Sequence, residues 1–407
     1  MLPLPLPDLD TPAGFADNLS DTTSRGETMD AEREINFTGG MPDPDSFPVE
    51  GLIAAAQTAL RRVGGKTLVR YPGDRGDGSL REIAAERFRH RDGVAVSPND
   101  IAVTNGSMQA IDLTLRAYVK PGDTVVCEET TYMGTLGALR HYGARLVGVP
   151  VDRDGMDTDA LADALRDLKR RGVRPSLIYT VPTNQNPTGA NLSRERRHRL
   201  VELAEEYDAL VLEDDCYDDI HFEARAAEAM YGFAPSGRVV YVATFSKVIG
   251  PGMRLGYLIA PPNRMATILE GRYDGGTSAF ASVILAEYLR EHLWEHVAET
   301  NAIVRGKRDA LLNALKRHLG DRVSCVPPTG GLFAWVRVPD ATDMDRLMRE
   351  LAARRVLCTR GQTFRCDNAE IPFVRFCYGY PTPDDIAEGI ARFAECVRVA
   401  SPRAAAV

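Results

Sequence analysis

Val239-Val-Tyr-Val-Ala-Thr-Phe-Ser-Lys-Val-Ile-Gly-Pro-Gly-Met-Arg-Leu-Gly-Tyr257 opens as an apolar run and then changes character. Hydroxyls stand at Thr244 and Ser246 and a lysine at 247; past two glycines and a proline comes Arg254, then a second apolar run. A strand that delivers a lone lysine among hydroxyls, glycines and an arginine suits an amine placed beside a bound phosphate. In isolation the same letters also fit a surface turn with an incidental Lys and Arg. The rest of the chain decides.

Upstream, short apolar runs alternate with helical patterns. Strands are expected over 101–104, 124–127, 145–151, 176–181, 209–213 and 239–243, and helices over 108–118 and 133–141. Asp157 caps a further helix to about 171, and Ser193 another. Such alternation needs crossover connections, so it predicts an α/β fold with a mostly parallel sheet sandwiched by helices. Ligands of these sheets gather at the carboxyl ends of the strands.

On the N-terminal side, residues 1–33 read as a Pro-, Asp- and Ser-rich flexible arm. Ile35-Asn-Phe-Thr-Gly-Gly-Met-Pro42 reads as a short strand breaking into a glycine turn, followed by a helix over about 50–63. Ser79 is the expected cap of a helix over 80–91. Beyond 262 the helix-rich stretch leaves the sheet, and strands and helices then mix to the end, with the last helix over about 384–398. The expected organisation is an arm (1–33), an N-terminal part of a small domain (34–48), a large domain (49–300) and a C-terminal small α+β domain (301–407).

A chain of 407 residues with net charge −8 can bury a large core and lacks the basic surface a nucleic acid requires. No apolar run approaches the ~20 residues that cross a bilayer. Met1-Leu-Pro-Leu-Pro-Leu-Pro7 makes a poor signal peptide, and seven scattered cysteines without C-x-x-C suit reduced thiols, so a cytoplasmic protein is expected. His292 and His296 have helical i, i+4 spacing but lack the H-E-x-x-H order of a metal site.

Three further motifs carry chemistry. Asn105-Gly-Ser-Met-Gln109 puts free N–H groups at a helix N-terminus, which suits a phosphate or merely a plain cap. Leu210-Val-Leu-Glu-Asp-Asp-Cys-Tyr217 ends a strand in three carboxylates. One of these can pair with a protonated ring nitrogen; a Mg²⁺ or surface site is the alternative. Pro182-Thr-Asn-Gln-Asn-Pro-Thr-Gly189 is a rigid polar turn from which Asn186 can donate to a phenolate-type oxygen.

Taken in order, these motifs resemble those of the pyridoxal-phosphate-dependent aminotransferases of fold type I, class I/II, and most nearly the kynurenine/2-aminoadipate aminotransferase-like subgroup. The resemblance covers roughly residues 35–398. It implies pyridoxal 5'-phosphate as cofactor and a catalytic set of Lys247, Asp214 and Tyr132. Lys247 forms the Schiff base and shuttles the proton, Asp214 pairs with the ring nitrogen, and Tyr132 stacks on the ring. Asn186 and Tyr217 bond the ring's 3-oxygen, and Ser107, Met108, Thr244, Ser246 and Arg254 hold the phosphate. Tyr71 matches a tyrosine that reaches the phosphate of the neighbouring subunit, which implies a homodimer with shared active sites. Arg375, with Gly40 and Asn186 beside it, receives the substrate's α-carboxylate. Thr130 stands where the family usually has proline, and Ile303-Val304 where an aromatic is usual. Arg272 is a candidate, by position only, for a second arginine on a substrate side chain.

The implied partners are amino acids and 2-oxo acids, with no nucleic acid and no membrane. The implied reaction moves an amino group from an α-amino acid to a 2-oxo acid. The alternative keeps the cofactor and uses the same carbanion for elimination, replacement, cyclisation or oxidation of an amino acid, with an S-adenosylmethionine-like substrate among the options. A regulatory module sensing the cofactor would need a DNA-binding domain, for which the arm is too short and too acidic.

Overall fold

Strict alternation along the strands builds the centre of the molecule, a computed structural model that describes residues 33–401 except 224 and 235. The arm expected over 1–33 lies, but for Arg33, outside the described residues. Strand β1 (Ile35–Asn36) leads to helices α1 (Val49–Leu68) and α2 (Gly78–Asp92). Then follow β2 (Ile101–Thr104), α3 (Ser107–Tyr118), β3 (Thr124–Glu128), α4 (Met133–His141) and β4 (Arg145–Val149). A small ribbon of β5 (Val151–Asp152) and β6 (Gly155–Met156) precedes α5 (Thr158–Arg170), β7 (Pro175–Thr180), α6 (Arg194–Glu206), β8 (Leu210–Asp214), β9 (Val239–Thr244) and β10 (Gly256–Ile259).

These strands form one seven-stranded sheet in the order β2-β10-β9-β8-β7-β3-β4. Only β10 runs against its neighbours β2 and β9. Val240 and Val242 enter one apolar cluster with residues of α3 and α4, whereas Tyr241 and Ala243 enter another with α2. Val125 and Val126 divide in the same way, Val126 packing with α5 and α6. Side chains two apart share a face, so one strand serves both layers and must be apolar throughout.

Helices α7 (Pro262–Leu269) and α8 (Ala279–His318) lead on to β11 (Ser324–Cys325), β12 (Phe333–Arg337), α9 (Met344–Ala353), β13 (Val356–Leu357), β14 (Thr359–Arg360), β15 (Phe373–Cys377) and α10 (Pro383–Ala400). A four-stranded antiparallel sheet, β11-β12-β15-β14, lies under α9 and α10. Strand β1 pairs with β13 in parallel, so the segment before α1 joins this C-terminal sheet region. The forty-residue α8 contributes Leu289 and Val297 to one cluster and Val304 and Leu311 to another. We propose the division between large and small domains in that interval.

Three local expectations need correction. Asp77, not Ser79, caps α2, its carboxylate accepting from the Leu80 N–H at 3.1 Å. The strand expected over 145–151 stops at Val149, because Pro150 has no N–H to donate and the chain turns into the ribbon. Helix α1 runs on to Leu68 through a break at Gly64, whose φ of 61° suits glycine.

Candidate active site

Each polar motif emerges at the same edge of the large sheet. Strands β2, β3, β7, β8 and β9 end there, and β10, running the other way, begins there just after Arg254. The sheet's direction therefore brings together segments more than a hundred residues apart in sequence.

Lys247 follows β9, and its Nζ donates to the Gly40 carbonyl at 2.7 Å. Burial holds its ammonium pKa below the usual lysine value. A Cβ on Gly40 would stand 3.3 Å from Nζ and 3.1 Å from the Phe333 ring, so the absence of a side chain there admits the lysine. Lys247 and Asp214 are close enough for each charge to act on the other.

Asp214 ends β8 and is only 3% exposed. Its Oδ2 accepts from the Tyr179 hydroxyl at 2.8 Å and its Oδ1 from the Cys216 thiol at 2.9 Å. Burial raises its pKa, and these two donors oppose the rise. The three-carboxylate run does not act as one site. Glu213 points away and accepts from the Met230 and Tyr231 N–H groups, while Asp215 pairs with Arg91 at 2.6 Å. A divalent metal reading loses its ligands, and no metal-holding group of His, Cys, Asp or Glu occurs among the described residues. His296 sits between the Val248 carbonyl and the Tyr288 hydroxyl.

A candidate anion cradle forms beside Lys247. Ser107 and Met108 open α3 after Gly106, whose φ of 73° leaves the first N–H groups free. The Thr244 hydroxyl donates to Ser246 Oγ at 2.8 Å, and Arg254 Nη2 donates to the Asn105 carbonyl at 2.9 Å. A Cβ at Gly256 would lie 2.8 Å from the Ser107 nitrogen, so glycine lets β10 pass directly beneath this helix start.

Asn186 Nδ2 donates to the Tyr217 hydroxyl at 3.2 Å, and Arg375 Nη1 donates to Asn186 Oδ1 at 2.8 Å. Arg375 Nη2 donates to the Thr38 carbonyl, and its Nε is buried without a partner. The guanidinium is 4% exposed and lies 4.3 Å from the Phe333 ring centroid and 4.7 Å from that of Phe364. It has no carboxylate partner of its own among the described residues. Tyr132, at the start of α4, has its phenol pushed up to about 12 by burial and by the charge of Asp214.

Two sequence-selected residues lie elsewhere in this chain. Tyr71 is 87% exposed and stands on an outer surface near Gly275. Arg272 is buried and committed: it donates to the Asp74 and Val103 carbonyls and to Thr277 and pairs with Asp274, so it cannot serve a substrate. Tyr179, Cys216, Phe333 and Phe364 are the site-forming residues that sequence reading missed.

A partly buried lysine of lowered pKa, a buried carboxylate and a cluster of hydroxyls, an arginine and free helix N–H groups fit pyridoxal phosphate. Together with the sheet these define a fold type I pyridoxal-phosphate-dependent enzyme. The chain belongs to the family Aminotransferase class I and II, whose description matches residues 33–393. It is 33% identical to aromatic-amino-acid aminotransferase 1 of Thermococcus litoralis over 91% of this chain and 89% of that protein. It is 30% identical to 2-aminoadipate transaminase of Thermus thermophilus, covering 89% and 90% of the two chains. The crystal structure of Pyrococcus horikoshii kynurenine aminotransferase superposes with a TM-score of 0.85 at 32% identity, covering 90% of this chain and 91% of that one. The protein is a pyridoxal 5'-phosphate-dependent aminotransferase that moves the amino group of an α-amino acid to a 2-oxo acid.

Proposed function

We propose that Lys247, Asp214 and Tyr132 form the catalytic set and that Arg375 selects the substrate's α-carboxylate. The observation that carries this reading is that two buried, oppositely charged groups, Asp214 and Arg375, both lie near enough to the partly buried Lys247 to act on its charge. When bound, pyridoxal phosphate supplies an aldehyde that condenses with amines and a cationic ring that takes up electrons from Cα. Burial lowers the Lys247 pKa and so favours the neutral amine, the form of Nζ that could bond the aldehyde or accept a proton. Asp214 would hold the ring nitrogen protonated, and Asn186 and Tyr217 would bond the ring's oxygen. Ser107, Met108, Thr244, Ser246 and Arg254 would hold the phosphate, and Tyr132 would stack on the ring. Gly40, through its carbonyl, and Asn186 complete the carboxylate pocket.

The substrate we infer carries an aromatic or apolar side chain. Phe333 and Phe364 flank Arg375, Arg272 is unavailable, and two of the relatives named above act on aromatic amino acids or kynurenine. We also infer a homodimer with shared sites. Val69, Tyr71 and Phe280 are exposed and line a hollow of ≈ 600 Å³, and the exposed Tyr273 precedes Asp274 of its lining. Asp274 ties that hollow to the cradle through Asn105 and Gln109. A cytoplasmic location accords with seven free cysteines, and no described helix is long and apolar enough to cross a membrane.

The test is single-turnover reaction of the loaded protein with aromatic, acidic and activated-methionine amino acids, with products identified by mass. We expect a 2-oxo acid and pyridoxamine phosphate, fastest with an aromatic amino acid, and loss of the cofactor absorbance band in Lys247→Ala. An elimination product, or a retained band, would overturn the assignment.

A further inference from the structure

The end of β8 and the loop after it carry four aspartates, and the structure treats one of them differently. Asp215 and Asp218 pair with Arg91 at 2.6 and 2.7 Å, and Asp219 pairs with Arg87 at 2.7 Å. Asp214 has no arginine partner among the described residues; each of its oxygens accepts instead from a neutral donor, the Cys216 thiol on one side and the Tyr179 phenol on the other. These donors are themselves held. Tyr179 Oη accepts from the Thr135 hydroxyl at 3.0 Å, and the Ser107 side chain lies near enough to act on the Cys216 thiol. A guanidinium would cancel the carboxylate's charge, whereas neutral donors stabilise the charged form and leave the charge available.

We propose that Cys216 is a positioning residue for the cofactor: its thiol, opposite the Tyr179 phenol, keeps the Asp214 carboxylate ionised and turned toward the ring nitrogen of pyridoxal phosphate. The inference rests on the reading that Asp214 faces that nitrogen. Cys216 thus touches the acid directly and stands near Ser107 at the start of the cradle. A buried cysteine can equally be a small apolar filler, and the two roles differ in what a serine does in its place. The other ionisable groups around Asp214 are Lys247 from the end of β9, Asp215 from its own loop, and the phenols of Tyr132 and Tyr217. None of these donates to its oxygens.

The experiment titrates the cofactor-free protein with pyridoxal phosphate from pH 5 to 9, comparing the parent with Cys216→Ala, Cys216→Ser, Tyr179→Phe and Asp214→Asn. Thermal unfolding of each apoprotein reports folding. The sign follows from the donors. Removing one raises the Asp214 pKa, so the acid protonates earlier as pH falls and cofactor affinity is lost at a higher pH. For Cys216→Ala we expect roughly tenfold weaker binding near neutrality and a fall-off about one pH unit higher, with Tyr179→Phe in the same direction. Cys216→Ser should restore the parent's profile. A parent-like Cys216→Ala, or an equal loss in the folded Ala and Ser variants, overturns the proposal. A parent-like Asp214→Asn overturns the reading of the acid itself, and the proposal with it. Loss in Asp214→Asn alone sinks only the role of Cys216.

Discussion

Asp214 and Arg375 are buried to nearly the same degree, 3% and 4% exposed, and both act on the charge of one lysine, yet their surroundings differ in kind. Both carboxylate oxygens of Asp214 are engaged by donors that belong to its own sheet layer. Arg375 is held from one side by the Asn186 amide and the Thr38 carbonyl, lies over two aromatic rings, and keeps Nε free. A buried cation with a spare donor is costly unless an anion arrives, and in our reading that anion comes and goes with each turnover. The acid is built for a resident partner and the arginine for a visitor. The two charges should therefore separate cleanly in kinetics.

The largest effect is expected from Asp214→Asn. An amide cannot hold the ring nitrogen protonated by charge, so kcat should fall by roughly 10²–10³-fold with little change in KM. Pre-steady-state absorbance would place the loss in the proton-transfer step. If KM rose instead while kcat held, Asp214 would belong to the substrate side and the comparison would fail.

Next comes Arg375→Lys. Lysine keeps the charge but loses the planar fork, so kcat/KM should fall by about 10–100-fold, carried mainly by KM. Cofactor affinity, measured by equilibrium titration, should stay within error of the parent. A coupled loss of both would mean that Arg375 and the cofactor cradle are one mechanical unit.

How far the sequence carries one toward this site depends on direction and adjacency. Lys247, Asp214 and Asn186 are legible because each polar motif follows an apolar run, and the ends of parallel strands share an edge. Tyr179 was not. It sits inside Ser-Leu-Ile-Tyr-Thr-Val, where it reads as one more strand residue. Its role appears only once β7 is known to pair with β8, with Thr180 opposite Glu213, which puts 179 and 214 on the same face. Period-2 alternation could have suggested that face, but strand order is not written in a local pattern. Arg272 failed for a related reason: its carbonyl partners Asp74 and Val103 are remote in sequence, and location along the chain said nothing of them. The continuation of α1 past Gly64 was hidden because Gly64-Gly65 reads as a helix stop.

The smallest expected effect sharpens the visitor's side alone. Phe364 precedes Arg365, whose guanidinium pairs with Glu129 at 2.9 Å, and the Phe364 carbonyl accepts from the Thr131 N–H at 2.9 Å. The ring is thus held by contacts to the loop that also carries Tyr132. Its face lies 4.7 Å from the Arg375 guanidinium, close enough for a cation–π attraction worth about 0.5–2 kcal/mol. Phe364→Leu keeps an apolar wall but removes that attraction, and with it part of the pull that holds the guanidinium in place between turnovers. KM for the preferred amino acid should rise by about two- to tenfold, with kcat and cofactor affinity unchanged. A fall in kcat without a change in KM would show that Phe364 acts through Tyr132 and the ring, placing it on the resident's side of the cleft.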